Sequence, residues 1–169
     1  MREDVLQNER YRQMEDVEMV LRFFAHRQRG LDSGPRRLRA FLDAYWNRAN
    51  RTYSKGLVHE IGTIFVSTID LVEAVLGERS FFIRRDRKGG RSWVPRPTLL
   101  AYDSVMAAFS KFLDESNRLI ANRDLVLERL ETLYDEHANA FDGRRTDPQD
   151  LATRDALIEG LLLDVVALS

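Results

Sequence analysis

SKGLVHEIGTIFVSTIDLVEAVLG, residues Ser54 to Gly77, decides the fold class. Leu57, Ile61, Ile64, Phe65, Thr68, Leu71, Val72, Val75 and Leu76 recur at three- and four-residue spacing. That period matches one face of an α-helix and no strand. Gly77 stands where a helix C-cap takes a positive φ, and Gly62 is a weak point that so long a pattern tolerates. The sequence therefore predicts a long amphipathic helix from about Ser54 to Leu76.

The same period extends outward in both directions. Upstream, Val17, Val20, Leu21 and Phe24 predict a helix from Asp16 to about Gln28. Ser33 and Pro35 then suit the cap and first turn of a second, whose stripe is Leu38, Phe41, Leu42 and Tyr45. Downstream, Leu99, Tyr102, Met106, Phe109 and Leu113 mark one helix face, and Val126, Leu130, Leu133, Tyr134 and His137 another. The last helix opens at Thr146-Asp147-Pro148-Gln149, a capping box, and carries Leu151, Leu157, Ile158, Leu161, Leu162 and Val165. Between 81 and 94 the pattern changes. Phe81-Phe82-Ile83 and Trp93-Val94 flank a charged, glycine-bearing turn at Gly89-Gly90, which predicts a small β-hairpin. The expectation is all-α: one helical domain over residues 1–169, of about six helices, with a hairpin inserted at 81–94.

Composition bounds the function. The 169 residues are 44% hydrophobic and 31% charged, as in a globular chain large enough to fold without a metal or disulfide staple. With no cysteine, thiol catalysis and thiolate zinc sites are excluded. Ile61 to Ile69 is the longest uncharged apolar stretch, about half the roughly 20 residues a bilayer requires. The charged N-terminus is no secretory signal, so a cytoplasmic protein without a membrane span is expected.

The net charge of −1 conceals a division. Residues 1–102 carry 19 basic and 13 acidic side chains, whereas residues 103–169 carry 7 and 14. Arginine supplies 23 of the 26 cations, which either reflects codon usage or serves bidentate contacts to phosphate and carboxylate. Arg84, Arg85, Arg87, Lys88 and Arg91 crowd the hairpin, with Arg36, Arg37 and Arg39 at the start of the second helix. Two such patches could neutralise several phosphates, with Trp93 nearby for stacking. Equally, the hairpin arginines could meet the acidic C-terminal helices, within one chain or between two.

Catalytic motifs are missing. His26, His59 and His137 lie far apart and form no helical metal pair, and neither a phosphate loop nor a nucleophile elbow is present. No catalytic residue, metal or cofactor is assigned.

One segment resembles a known pattern. RQMEDVEMVLRFFA, residues 12–25, resembles the "D-x-E-x-V-L-R-F-x-A" segment, with an arginine upstream, of a large bacterial family. That family shares its N-terminal ParB-like domain with GmrSD-type modification-dependent restriction endonucleases. FLDAYW (41–46), VLGERSF (75–81), PTLLAYDSVMA (97–107, Tyr102-Asp103 at its centre) and Thr146 echo later family segments in the same order. The resemblance covers the helical part that follows the ParB-like domain. Neither that domain's "DGQQR" motif nor the His-Asn-His nuclease region is in this chain. It implies a non-enzymatic helical interaction module of a restriction or phage-defence protein, docking to a partner subunit or to itself. The alternative is a nucleic-acid-binding module that uses the basic hairpin. Arg12, Asp16, Glu18, Arg22 and Phe23 match the family segment without an assigned role. Glu18 and Arg22 have the spacing of an i,i+4 surface pair worth a few tenths of a kcal/mol. Adjacent Phe23 and Phe24 cannot share a narrow face, so either one reaches an interface or a broad core holds both.

Overall fold

A computed structural model describes residues 15–28, 38–143 and 148–168. Among these residues the chain forms seven α-helices and one two-stranded antiparallel hairpin. The order is α1 (Glu15–Arg27), α2 (Leu38–Thr52), α3 (Lys55–Leu76), β1 (Arg84–Arg87), β2 (Gly90–Trp93), α4 (Leu99–Phe109), α5 (Ser116–Ala121), α6 (Arg123–Glu136) and α7 (Pro148–Leu168). The expected fold class is the observed one. Short α5, which the period did not suggest, is the added helix. The capping residues Ser33, Pro35 and Thr146 lie outside the described residues.

Local chemistry explains the ends of α3. The Ser54 hydroxyl accepts from the Leu57 N–H at 3.2 Å, filling one donor that the first turn leaves unpaired. At the other end Gly77 takes φ 55°, and its N–H donates to the Glu73 carbonyl. Thr68, polar but fully buried, donates its hydroxyl to the Ile64 carbonyl at 2.7 Å and so costs the core no unpaired group.

The core is built around α4. Its residues from Ala101 to Ser110 are all buried, and it packs against α1, α3 and α7. The sequence reading gave α4 one apolar face through Leu99, Tyr102, Met106 and Phe109, with Leu113 at its end. In fact Leu99 is exposed and Leu113 falls in the following 3₁₀ turn, while Ala101, Val105, Ala107 and Ala108 bury the other faces. Alanines let neighbouring helices approach on sides that a period-3.6 stripe leaves to water. Phe23 is fully buried and Phe24 half-buried. Both meet Phe65 edge-on, at centroid distances of 5.2 and 5.9 Å, so a broad core face holds the pair. A smaller cluster of Ala25, Phe41, Leu42 and Tyr45 joins α1 to α2.

Enclosure of α4 on every side has a measurable consequence. Ala107→Leu, on the flank opposite the expected stripe, lowers stability by about 1–3 kcal/mol through overpacking. Leu99→Ala on the same helix changes it by less than about 1 kcal/mol, because Leu99 is half-solvated. Urea unfolding of the two variants distinguishes the enclosed helix from an amphipathic one.

Candidate functional site

Two charged constellations stand out, one buried and one on the surface. The buried one starts from Asp103, a carboxylate in the middle of a helix that is otherwise apolar. Asp103 is 4% exposed and Arg22 6%. The Arg22 guanidinium donates Nε to Asp103 Oδ1 at 2.8 Å and Nη2 to Oδ2, a bidentate fork across 81 residues of sequence. Glu18 Oε1 receives Nη1 at 3.3 Å, one turn back on α1. Burial works against the arginine's charge, but the hydrogen bond and charge of Asp103, with those of Glu18, outweigh it and raise its pKa. His26 Nε2 lies 3.7 Å from Asp103 Oδ2, one turn further along α1, with its ring against Phe41. Tyr102 completes the join by donating its hydroxyl to the Met19 carbonyl at 2.9 Å. Burial raises the Tyr102 pKa, so the phenol stays neutral and remains a donor.

The surface constellation is the hairpin. Its register pairs Arg84 with Trp93, Arg85 with Ser92, Asp86 with Arg91 and Arg87 with Gly90. The tight return uses Gly89 and Gly90 at φ 104° and 118°, a conformation that residues with a Cβ rarely adopt. Side chains alternate across a strand, so the hairpin's arginines divide between two faces. Arg84 and Arg91 turn toward α6. Arg84 grips Asp135 with Nε at 2.9 Å and Nη2 at 3.0 Å, and pairs with Glu131 through Nη1. Arg91 gives Nε to the same Asp135 oxygen at 2.8 Å and Nη2 to the Tyr134 carbonyl at 3.1 Å. Trp93 packs edge-on against Tyr134, with the Arg79 and Arg84 guanidiniums over its ring at 5.3 and 5.7 Å. Hydrogen bonding from Arg84, reinforced by both cations, lowers the Asp135 pKa.

The other face looks outward. Arg85, Arg87, Lys88 and Arg96 are exposed. Arg85, Arg87 and Arg96 line a concavity of about 350 Å³ with Asp86, Val94 and Pro95. Arg85 also reaches the Asp142 carbonyl at 3.4 Å.

The residues singled out from sequence thus part company. Arg84 and Arg91 are committed to α6, while Arg85, Arg87 and Lys88 face solvent. Arg39 is exposed on α2, and Arg12, Arg36 and Arg37 lie outside the described residues. Asp16 is exposed, and Phe23 belongs to the core. Arg22 does pair with Glu18 at the expected spacing, but its main partner is Asp103. Asp103, Asp135 and Glu131 were assigned no role by sequence, whereas Arg96 counted only as the end of the basic run from Arg79. A lone carboxylate inside an apolar helix was the available signal for Asp103, since such a group needs a cation. Among the described residues no three His, Asp or Glu side chains form a metal-binding group, and no helix is long and apolar enough to cross a membrane.

Comparison with family models, curated proteins and solved structures finds no match to this chain.

Both constellations can be tested. Asp103→Ala strands a buried guanidinium and lowers stability by about 3–5 kcal/mol, whereas Glu18→Ala costs at most about 0.5 kcal/mol. Replacing the pair together, Arg22→Met with Asp103→Leu, recovers much of the loss in chemical denaturation. For the hairpin the sign follows from Asp135. A carboxylate whose folded pKa is lowered adds stability above its unfolded value, near 4, and loses it as pH falls through the folded value. Trp93 emission therefore shifts to the red in acid below about pH 4, and Asp135→Asn produces the shift at neutral pH. Trp46, already exposed on α2, supplies a constant background.

Proposed function

We propose that this chain is a cytoplasmic, non-enzymatic helical interaction module of the restriction or phage-defence kind. Its role is to dock a separate component that supplies nucleotide hydrolysis or nuclease activity. The observation that carries the reading is the Arg22–Asp103 fork. Two segments of the family resemblance, around Arg22 and around Tyr102-Asp103, meet through their charged residues although 81 positions separate them. The motif's polar residues then serve to hold α1 on α4. The fork saturates Asp103 with the cation it needs and encloses both groups, which suits a scaffold better than a reacting centre.

A second reading has its own observation. Arg85 and Arg87 are exposed on the hairpin face turned away from α6, with exposed Lys88 in the turn and exposed Arg96 just beyond β2. Clustered exposed cations suit a phosphate backbone, which a protein contacts without reading sequence. Under this reading Arg84 and Arg91 hold the hairpin in place, and the contacts come from the other four.

The two readings separate experimentally. On the first, the purified chain hydrolyses no nucleotide and forms a stoichiometric complex with a ParB-like domain of the resembled family in light scattering. Hydrolysis by the chain alone sinks it. On the second, labelled duplex DNA binds in low salt. Changing Arg85, Arg87 and Lys88 to Gln weakens binding alike for all sequences and flattens the salt slope by about one unit for each phosphate no longer neutralised. Absence of binding at low salt removes the second reading.

A further inference from the structure

Among the described residues, two helices that pack on each other carry apolar residues on more than one face. One is α4, and its surroundings account for it. The other is α7, where Leu151, Ile158, Leu161, Leu162 and Val165 are buried while Ala152, Ala156, Leu163, Ala167 and Leu168 face outward. Leu163 is 58% exposed and Leu168 67%. Gln149, Thr153 and Asp164 share that outer side, but Leu163 and Leu168 stand on it as large apolar side chains that nothing among the described residues covers. Beside that side runs a groove of about 510 Å³ between α6 and α7, with Leu133 and Leu157 in its walls and the small Ala156 and Gly160 opening it.

Charge selects the occupant. Glu128 and Glu136 on α6 and Asp164 on α7 line the groove, against Arg129, which lies 3.7 Å from Asp164, and His137. The balance is acidic. A second copy related by a two-fold axis would bring the same acidic rim against itself. The cationic hairpin of another copy has the right sign, but its turn, Arg87-Lys88-Gly89-Gly90, offers no apolar side chain to the leucines. We infer that the α6–α7 groove receives an amphipathic helix of a different protein, one with apolar anchors at i, i+3/i+4 and i+7 and Lys or Arg on its flanks. Helices dock in grooves in this way when anchors fill the floor and flanking charges meet the rim. The inference rests on the docking function proposed above and places the partner's contact.

Two synthetic 18-residue helical peptides with the same leucine face, one flanked by Lys and one by Glu, test it on the full chain by fluorescence anisotropy. The Lys peptide binds about tenfold or more tightly than the Glu peptide. Gly160→Leu weakens it by about the same factor; a β-carbon at Gly160 meets nothing within 4 Å, and an unchanged helical circular dichroism spectrum checks that the variant folds. Ala156→Lys, on the exposed wall, does the same by charge. Thr63→Leu, which adds apolar surface on the outer side of α3, leaves binding unchanged. Glu128→Lys with Glu136→Lys reverses the preference between peptides. Equal binding of both peptides overturns the inference, as does indifference to Gly160→Leu and Ala156→Lys. A wild-type dimer that Gly160→Leu converts to monomer assigns the groove to a second copy and overturns it too. Nucleotide hydrolysis by the chain alone counts against the proposed function and leaves the peptide preference standing, so the two failures are distinguishable.

Discussion

A carboxylate on a helix enclosed by its neighbours must find a cation or give up its charge, and Asp103 finds Arg22. The pairing reaches beyond electrostatics, because it fixes where α1 lies. A fork of two parallel hydrogen bonds allows little rotation. The Tyr102 hydroxyl on the Met19 carbonyl adds a second point of attachment between the same two helices. With α1 so placed, Phe23 and Phe24 meet Phe65 of α3, and Ala25 turns to the α2 cluster. Apolar contacts supply most of the driving force but tolerate sliding. The buried pair selects one arrangement among those the apolar faces would permit.

The hairpin uses the same chemistry for two ends. Strand alternation turns one run of arginines into two populations, and only one is neutralised by the protein itself. Asp135 serves Arg84 and Arg91 together, and Glu131 adds a second carboxylate to Arg84. Two cations of the basic N-terminal part of the chain here meet two carboxylates of its acidic C-terminal part. Within the hairpin strands, the arginines left to solvent are Arg85 and Arg87, on one face.

The sequence carried the helices well, because apolar spacing is local and the caps at Ser54 and Gly77 are chemical facts about single residues. It carried the hairpin and its turn at Gly89-Gly90 too, but the strands are the charged Arg84–Arg87 and Gly90–Trp93, and of the apolar runs expected as strands only Trp93 lies in one. Tertiary partners were less legible. Arg22 had a neighbour at the right helical spacing in Glu18, and that local answer concealed Asp103, 81 residues away. In α4 the large side chains traced a stripe, while the alanines that decide full enclosure look neutral in any period. The two faces of the hairpin were implicit in strand alternation, but which face met the acidic helices depended on how α6 lay beneath it.

Packing of α4 against α7 also imposes an order in time. Synthesis proceeds from the N-terminus, so α1, α3 and the hairpin are available to α4 well before α7 leaves the ribosome. Until then the flank of α4 that will receive Ile158, Leu161, Leu162 and Val165 stays open, and the acidic α6 can already hold the hairpin. At that stage the Arg22–Asp103 fork and the hairpin's pairs to α6 can form, while the apolar interior is unfinished and Arg129 and Lys111 still lack Asp164 and Glu159. In that interval its fate depends on how quickly the last 21-residue helix arrives.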